Sequence, residues 1–220
     1  RQCFHAALVA NGGLLHGGQT GLDAWINELI WREFYQHVVK LNPSLREGCA
    51  FKRATDDLPW ETDAGVLLRW QSGETGFPFV DAGMRQLNQT GWMHNRVRMV
   101  VAQFLTKHLF VDWRLGEAYF MASLVDGDFA ANNGGWQWSA STGTDAAPYF
   151  RMVNPTRQGQ RYDAQGKFVR RFIPELTDVP DKLLFEPWKS DKARCYPTPI
   201  VDLDTARRGA LMKWKRLNQH

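Results

Sequence analysis

The sequence predicts a mainly α-helical protein, and three observations carry that prediction. Apolar residues recur at helical spacing over long windows, most clearly at Leu22, Trp25, Ile26, Leu29, Ile30, Phe34, Val38 and Leu41. No window alternates apolar and polar residues well enough to support a sheet, and no internal repeat is present. Beyond Arg151, the prolines at 155, 174, 180, 187, 197 and 199 predict a basic, irregular region without long elements.

Taken in order, residues 1–10 read as the end of a helix stopped by Asn11-Gly12-Gly13, with a glycine-rich surface loop running on to Gly21. The helix over 22–41 ends at Asn42-Pro43. Its second stripe, Glu28, Trp31, Arg32 and Tyr35, mixes an acid, a base and two aromatics, which solvated faces seldom do. Residues 43–62 read as an irregular link, and Ala64–Gln71 as a short helix broken by Gly73 and Gly76. Further helices are predicted from about Phe79 to Gly91 and from Trp92 to about Leu109, the second with Asn95, Arg98, Met99 and Ala102 beside its core positions. Asp112 reads as the cap of a helix running through Tyr119 and Leu124, and only Asp204–Leu217 looks helical after Arg151. The organisation expected is a helical body over 1–200 and a basic helical tail over 201–220. The chain opens at Arg1 without an initiator Met and already in helical pattern, so it is expected to be cut from something longer.

At 220 residues and 44% hydrophobic content the chain can bury a substantial core. A net charge of +4 favours a polyanionic partner without requiring one. Cys3, Cys49 and Cys195 are scattered, which speaks against a disulfide scaffold or a zinc site and for a reducing cytosol. No apolar run approaches the roughly 18 residues of a membrane span, and no leader pattern opens the chain, so a soluble cytoplasmic protein is expected.

Candidate chemistry concentrates in Asp126–Pro155. Two acids, two adjacent amides, a glycine pair and two tryptophans fall within its first thirteen residues, which suits a flat aromatic ligand. If that stretch is helical, Trp136 and Trp138 lie about 200° apart and face different neighbours. Phosphate-cradling glycine loops and His-Glu-x-x-His are absent. His94 stands without clustered ligands and reads as a hydrogen-bonding group, and no metal is expected. The stripes Glu28/Trp31/Arg32, Asn95/Arg98/Met99 and Asp126/Asp128/Asn132 could line one pocket without an evident nucleophile, so a redox-active flat cofactor is the economical expectation. Arg98 and Asp126 could pair beside it, with a plain structural salt bridge as the competing reading.

Three motifs in one order resemble the flavin-binding helical domain of the photolyase and cryptochrome family. They are Asn27-Glu28-Leu29-Ile30-Trp31-Arg32-Glu33-Phe34-Tyr35, Thr90-Gly91-Trp92-Met93-His94-Asn95-Arg96, and Asp126 through Pro155, and the likeness is nearer to class I cyclobutane pyrimidine dimer photolyases than to cryptochromes. The resemblance implies FAD among the helices, surrounded by Trp25, Glu28, Arg32, Trp92, Asn95, Arg98, Asp126, Asp128, Ala131 and Asn132. Asn132 would face the flavin's N5, where plant cryptochromes place an acid. The implied reaction is light-driven splitting of a pyrimidine dimer in DNA by an electron that is lent and returned, with the dimer flipped from the duplex as photolyases do. Trp31 and Trp138 would wedge the dimer, Met99 pack against it, and Glu28 and Asn95 bind its edges. Arg96, Arg151 and Arg161 would meet DNA phosphates. Trp136, Trp113 and Trp60 match the family's relay for photoreducing oxidised flavin, so Glu28, Asn132 and these tryptophans are the catalytic assignments. Asn95 stands where relatives repairing the other ultraviolet photoproduct carry His. The family's amino-terminal α/β domain and its phosphate-binding segment would lie upstream of Arg1, which leaves the antenna pigment open. A monomer is expected. The rival readings are a cryptochrome-like light sensor, which need not keep Trp31, Met99 and Trp138, and a single-strand binding module using Trp stacking and Arg207, Arg208, Lys213, Lys215 and Arg216.

Overall fold

The computed structural model describes residues 1–217. Ten α-helices carry it: α1 Gln2–Ala10, α2 Thr20–Leu41, α3 Ala64–Ser72, α4 Pro78–Thr90, α5 Asn95–Gln103, α6 Trp113–Ser123, α7 Phe129–Ala140, α8 Pro155–Tyr162, α9 Lys167–Phe172 and α10 Leu203–Leu217. The β pairing among the described residues is a single parallel bridge between Glu61 and Val111.

Local chemistry sets the helix ends. Asp63, Asp112 and Asp128 accept from backbone N–H groups of the first turns of α3, α6 and α7, satisfying donors with no partner inside the helix. Gly73 and Gly91 close α3 and α4 with φ of 68° and 67°, conformations that disfavour a Cβ.

The structure corrects the expectations in four places. The helix predicted from Trp92 begins at Asn95, because His94 is its N-cap, its ring nitrogen accepting from Arg96 N at 3.0 Å. Its last turn, Phe104–His108, opens into a π-helix. The link over 43–62 holds two 3₁₀ turns, Pro43–Glu47 and Arg53–Asp57. The region after Arg151 contains α8 and α9, which the prolines had argued against. Pro155 sits at the first position of α8, where its missing N–H costs nothing, and the Asn154 side chain caps that helix.

Helix α7 lies among α2, α5 and α6. Two glycines permit the close approaches. A Cβ on Gly116 of α6 would lie 2.2 Å from the Trp136 ring, and one on Gly134 of α7 would lie 2.2 Å from the Tyr35 ring of α2. The stretch Asn132–Gly135 lies inside α7, and Gly134 is small because a neighbouring ring occupies its side-chain space. The main core holds Trp70, Phe104, Trp113 and Trp136, all almost fully buried. The basic helix expected after residue 200 is present as α10. It packs on the π-turn, with Ala210 and Trp214 buried beside Leu58 and Phe110. Residues 218–220 of the expected tail lie outside the described residues.

Candidate active site

Helix α7 starts at Asp128, whose carboxylate does two things. It accepts from Ala131 N at 3.0 Å, and it binds α2 through Gln36 Nε2 at 3.1 and 3.2 Å and Arg32 at 3.3 Å. With Arg32 59% exposed, that ion pair contributes at most about 1 kcal/mol, and its main effect is to align the two helices. One turn on, the Asn132 amide nitrogen donates to Glu117 twice, to its backbone carbonyl at 3.0 Å and to its carboxylate at 3.3 Å. Burial pushes the Glu117 carboxyl up, while the Asn132 bond pulls it down. Because the –NH₂ group is committed to Glu117, the Asn132 carbonyl oxygen remains available as an acceptor. From α5, Arg98 donates its Nε to the Met93 carbonyl at 2.7 Å and one terminal nitrogen to both Asp126 oxygens at 3.0 and 2.9 Å. The expected ion pair thus exists, half open to solvent, with its guanidinium fixed at a third point.

These groups enclose a cavity of about 370 Å³. Glu28 enters it from α2, Trp92 from the turn before α5, Asn95 from the start of α5, and Met99 from one turn further along. Phe120 and Trp136 supply an apolar floor, opposite the polar rim of Arg98, Asp126, Asp128 and Asn132. Ala131 and Gly135 complete the α7 wall, and the side-chain position of Gly135 is open space.

Other predicted residues lie outside this lining. Trp25 and Trp31 are about half exposed on α2; the Trp31 ring is held edge-on by Phe34 at 5.4 Å and tilted against Tyr35 at 5.9 Å. Trp136 and Trp138 do face different surroundings: the first is buried, whereas the second is partly exposed beside a loop whose Ala147 N–H donates to its backbone carbonyl at 3.1 Å. Arg96 and Arg161 flank the Tyr162 ring at 5.1 and 5.3 Å, and Arg151 is exposed on the segment after that loop. The Glu61–Val111 bridge brings Trp60 to the start of α6, which begins with Trp113, and Trp136 packs over Gly116 one turn later. The closest ring partners of Trp136 are Phe120 at 5.0 Å and Trp70 at 6.0 Å, and that of Trp60 is Phe110 at 4.9 Å.

Sequence reasoning missed Glu117, Gln36 and Phe120. Gln36 was within reach of the pattern, since it follows Arg32 by one helical turn on the same face. Nothing local marked Glu117, whose role comes from α6 lying against α7.

The sequence profile of the family described as "FAD binding domain of DNA photolyase" matches residues 25–216. The chain belongs to that family. It is 56% identical over 211 residues to the deoxyribodipyrimidine photo-lyase of Escherichia coli K12, covering 94% of this chain and 44% of that protein. The Salmonella typhimurium counterpart is 53% identical, with coverages of 98% and 46%. Among solved structures, a class III photolyase from Agrobacterium tumefaciens superposes with a TM-score of 0.90 at 41% identity, over 99% of this chain and 46% of that one. A Synechocystis cryptochrome gives 0.84 at 33% identity, over 96% and 45%. The chain therefore spans less than half the length of these relatives. For a photolyase-type domain the cavity fits the planar end of FAD: an apolar floor for a ring, and amide and ionic groups along one rim. It does not by itself suit the phosphates, because its one lining cation, Arg98, is already paired with Asp126, and Arg32 beside it is paired with Asp128.

Proposed function

We propose that this chain is the FAD- and lesion-binding body of a light-driven DNA lyase that splits cyclobutane pyrimidine dimers. The observation that carries the proposal is the orientation of Asn132. Both of its nitrogen bonds end on Glu117, which leaves an oxygen acceptor at the cavity rim for a protonated flavin N5. Held by the residues of this cavity, FAD would supply the light-driven one-electron chemistry that dimer splitting needs, with no net redox change.

The chain's own groups do the rest. The Asn132 oxygen would accept a hydrogen bond from a protonated flavin nitrogen, and Glu117 keeps the amide from rotating. Asn95 and Glu28, on the same cavity, bind the pyrimidine edges, and Met99 gives the dimer an apolar wall. Trp31 and Trp138 form the wedge above it. Arg96, Arg151 and Arg161 engage phosphates, positioning the strand without reading its sequence. Trp136, Trp113 and Trp60 would carry electrons inward to reduce an oxidised flavin. The protein acts as a cytoplasmic monomer on chromosomal DNA, and no described helix is long and apolar enough to cross a membrane.

The test uses the full-length protein that carries this chain. Its flavin absorption spectrum is recorded, and blue-light-dependent splitting of a dimer-containing oligonucleotide is assayed. A yellow protein with light-dependent splitting is expected, and Asn132→Ala should keep the flavin but lose most of the splitting. A yellow protein without splitting would instead favour a light sensor, the reading to which the cryptochrome likeness points. A colourless protein that binds undamaged single strands would overturn both.

A further inference from the structure

Lys107 is among the most deeply buried side chains in the protein, 1% exposed in the π-helical last turn of α5. No carboxylate pairs with it among the described residues. Its ammonium group donates to two backbone carbonyls, those of Pro148 at 3.3 Å and Arg151 at 3.0 Å. The Arg151 N–H donates back to the Pro148 carbonyl at 2.9 Å, so Lys107 closes a turn from beneath. One helical turn earlier, the buried Gln103 accepts from Val153 N at 3.3 Å. On the other side of the turn, the Ser141 hydroxyl donates to the Ala147 carbonyl. Three side chains of the helical floor thus tie down residues 147–153 by their backbone, while Phe150 and Arg151 point outward.

Keeping an ammonium in such a place is costly. Burial and the nearby Arg151 guanidinium push Lys107 down to about 7, far below an ordinary lysine. An apolar side chain would fill the volume without that penalty, but it would leave the Arg151 carbonyl without its donor and the Pro148 carbonyl with the Arg151 N–H alone. A π-turn is a recurrent device at functional sites. Here it carries Lys107 on the same stretch of helix as Gln103, which supports the neighbouring strand of the loop.

We propose that Lys107 is a positioning residue: its ammonium group fixes the turn of residues 148–151, so that Arg151 meets a phosphate of the lesion-bearing strand. The assignment rests on the DNA-repair reading above and adds to it the group that holds one of its phosphate contacts in place.

A double-mutant cycle in the full-length protein tests this. Binding of labelled duplexes, with and without one thymine dimer, is measured across a salt series for wild type, Lys107→Met, Arg151→Ala and the double variant. Arg151→Ala should weaken binding to the dimer duplex roughly tenfold and lower the salt slope by about one, as the loss of one phosphate contact does. Lys107→Met should lower the slope similarly, and the double variant should bind no worse than Arg151→Ala alone. If Lys107→Met does not accumulate folded, Lys107→Gln, which keeps a donor on a shorter stem, takes its place in the same cycle. Additive losses, or a Lys107 variant with wild-type slope and merely lowered thermal stability, would overturn the positioning role. A wild type that does not prefer the dimer duplex would overturn the repair reading itself, which separates the two failures.

Discussion

The contact between Gly116 and Trp136 makes a quantitative prediction. In Gly116→Ala the new methyl would stand 2.2 and 2.4 Å from two Trp136 ring carbons and 2.7 Å from a Leu105 methyl, so something has to move. Trp136 is 2% and Leu105 0% exposed, so relief requires pushing the Trp136 ring toward the cavity that it lines. Overpacking of a core site costs about 1–3 kcal/mol, and three contacts this short argue for the upper end. Replacing Gly by Ala inside a helix returns about 1 kcal/mol. The expected net loss is about 2 kcal/mol, or a fall in melting temperature of roughly 4–8 °C for a domain of this size. Gly135→Ala is the control, because its Cβ meets nothing within 4 Å and the same helix gain acts alone. It should hold or raise the melting temperature while intruding on the cavity and weakening flavin retention. Thermal unfolding followed by far-ultraviolet circular dichroism, with the flavin spectrum recorded in parallel, measures both. A Gly116→Ala protein as stable as Gly135→Ala would refute the packing of α6 on α7.

Other outcomes follow from the same structure. Trp113→Phe should slow photoreduction of oxidised flavin while leaving splitting by already reduced enzyme nearly intact; equal photoreduction in transient absorption would remove Trp113 from the relay. Asp81 is fully buried and accepts from Thr75 N and Oγ1, Gly76 N and the Tyr196 hydroxyl, so Asp81→Ala strands these donors and should cost about 3–5 kcal/mol in denaturant unfolding. Burial, reinforced by the neighbouring Lys107 and opposed by a backbone bond from Gln103, pushes His108 down to about 4. Its folded pKa lies below the unfolded value of about 6.5, so stability is fully present above that pH and drains away as pH falls toward 4, by up to about 3 kcal/mol. His108→Gln should flatten this acid limb of the stability profile, and an unchanged limb would show that His108 does not set it.

Pattern and structure diverge where neighbours, and not the local chain, decide. The long helices were legible because their apolar periodicity and caps act within one turn, as at Asp112. Helix α9 has six residues and α8 eight, too few for a period to show, and Pro155 was read as a breaker although it occupies the one helical position that tolerates it. The glycine pair in α7 was read as part of a ligand site. Gly134 instead makes room for Tyr35, and only Gly135 faces the open cavity.

By itself the sequence determined a mainly helical fold and the motif residues shared with the photolyase family, because periodicity, capping and residue type are properties of short stretches. Tertiary structure alone decided that Glu117 orients the Asn132 amide, that Arg32 and Arg98 are paired with acids, and that a buried Lys107 holds the turn carrying Arg151. Each of these is a contact between residues 15 to 96 positions apart, made by helices whose mutual placement depends on the volume of every side chain between them and leaves no periodic trace in either partner.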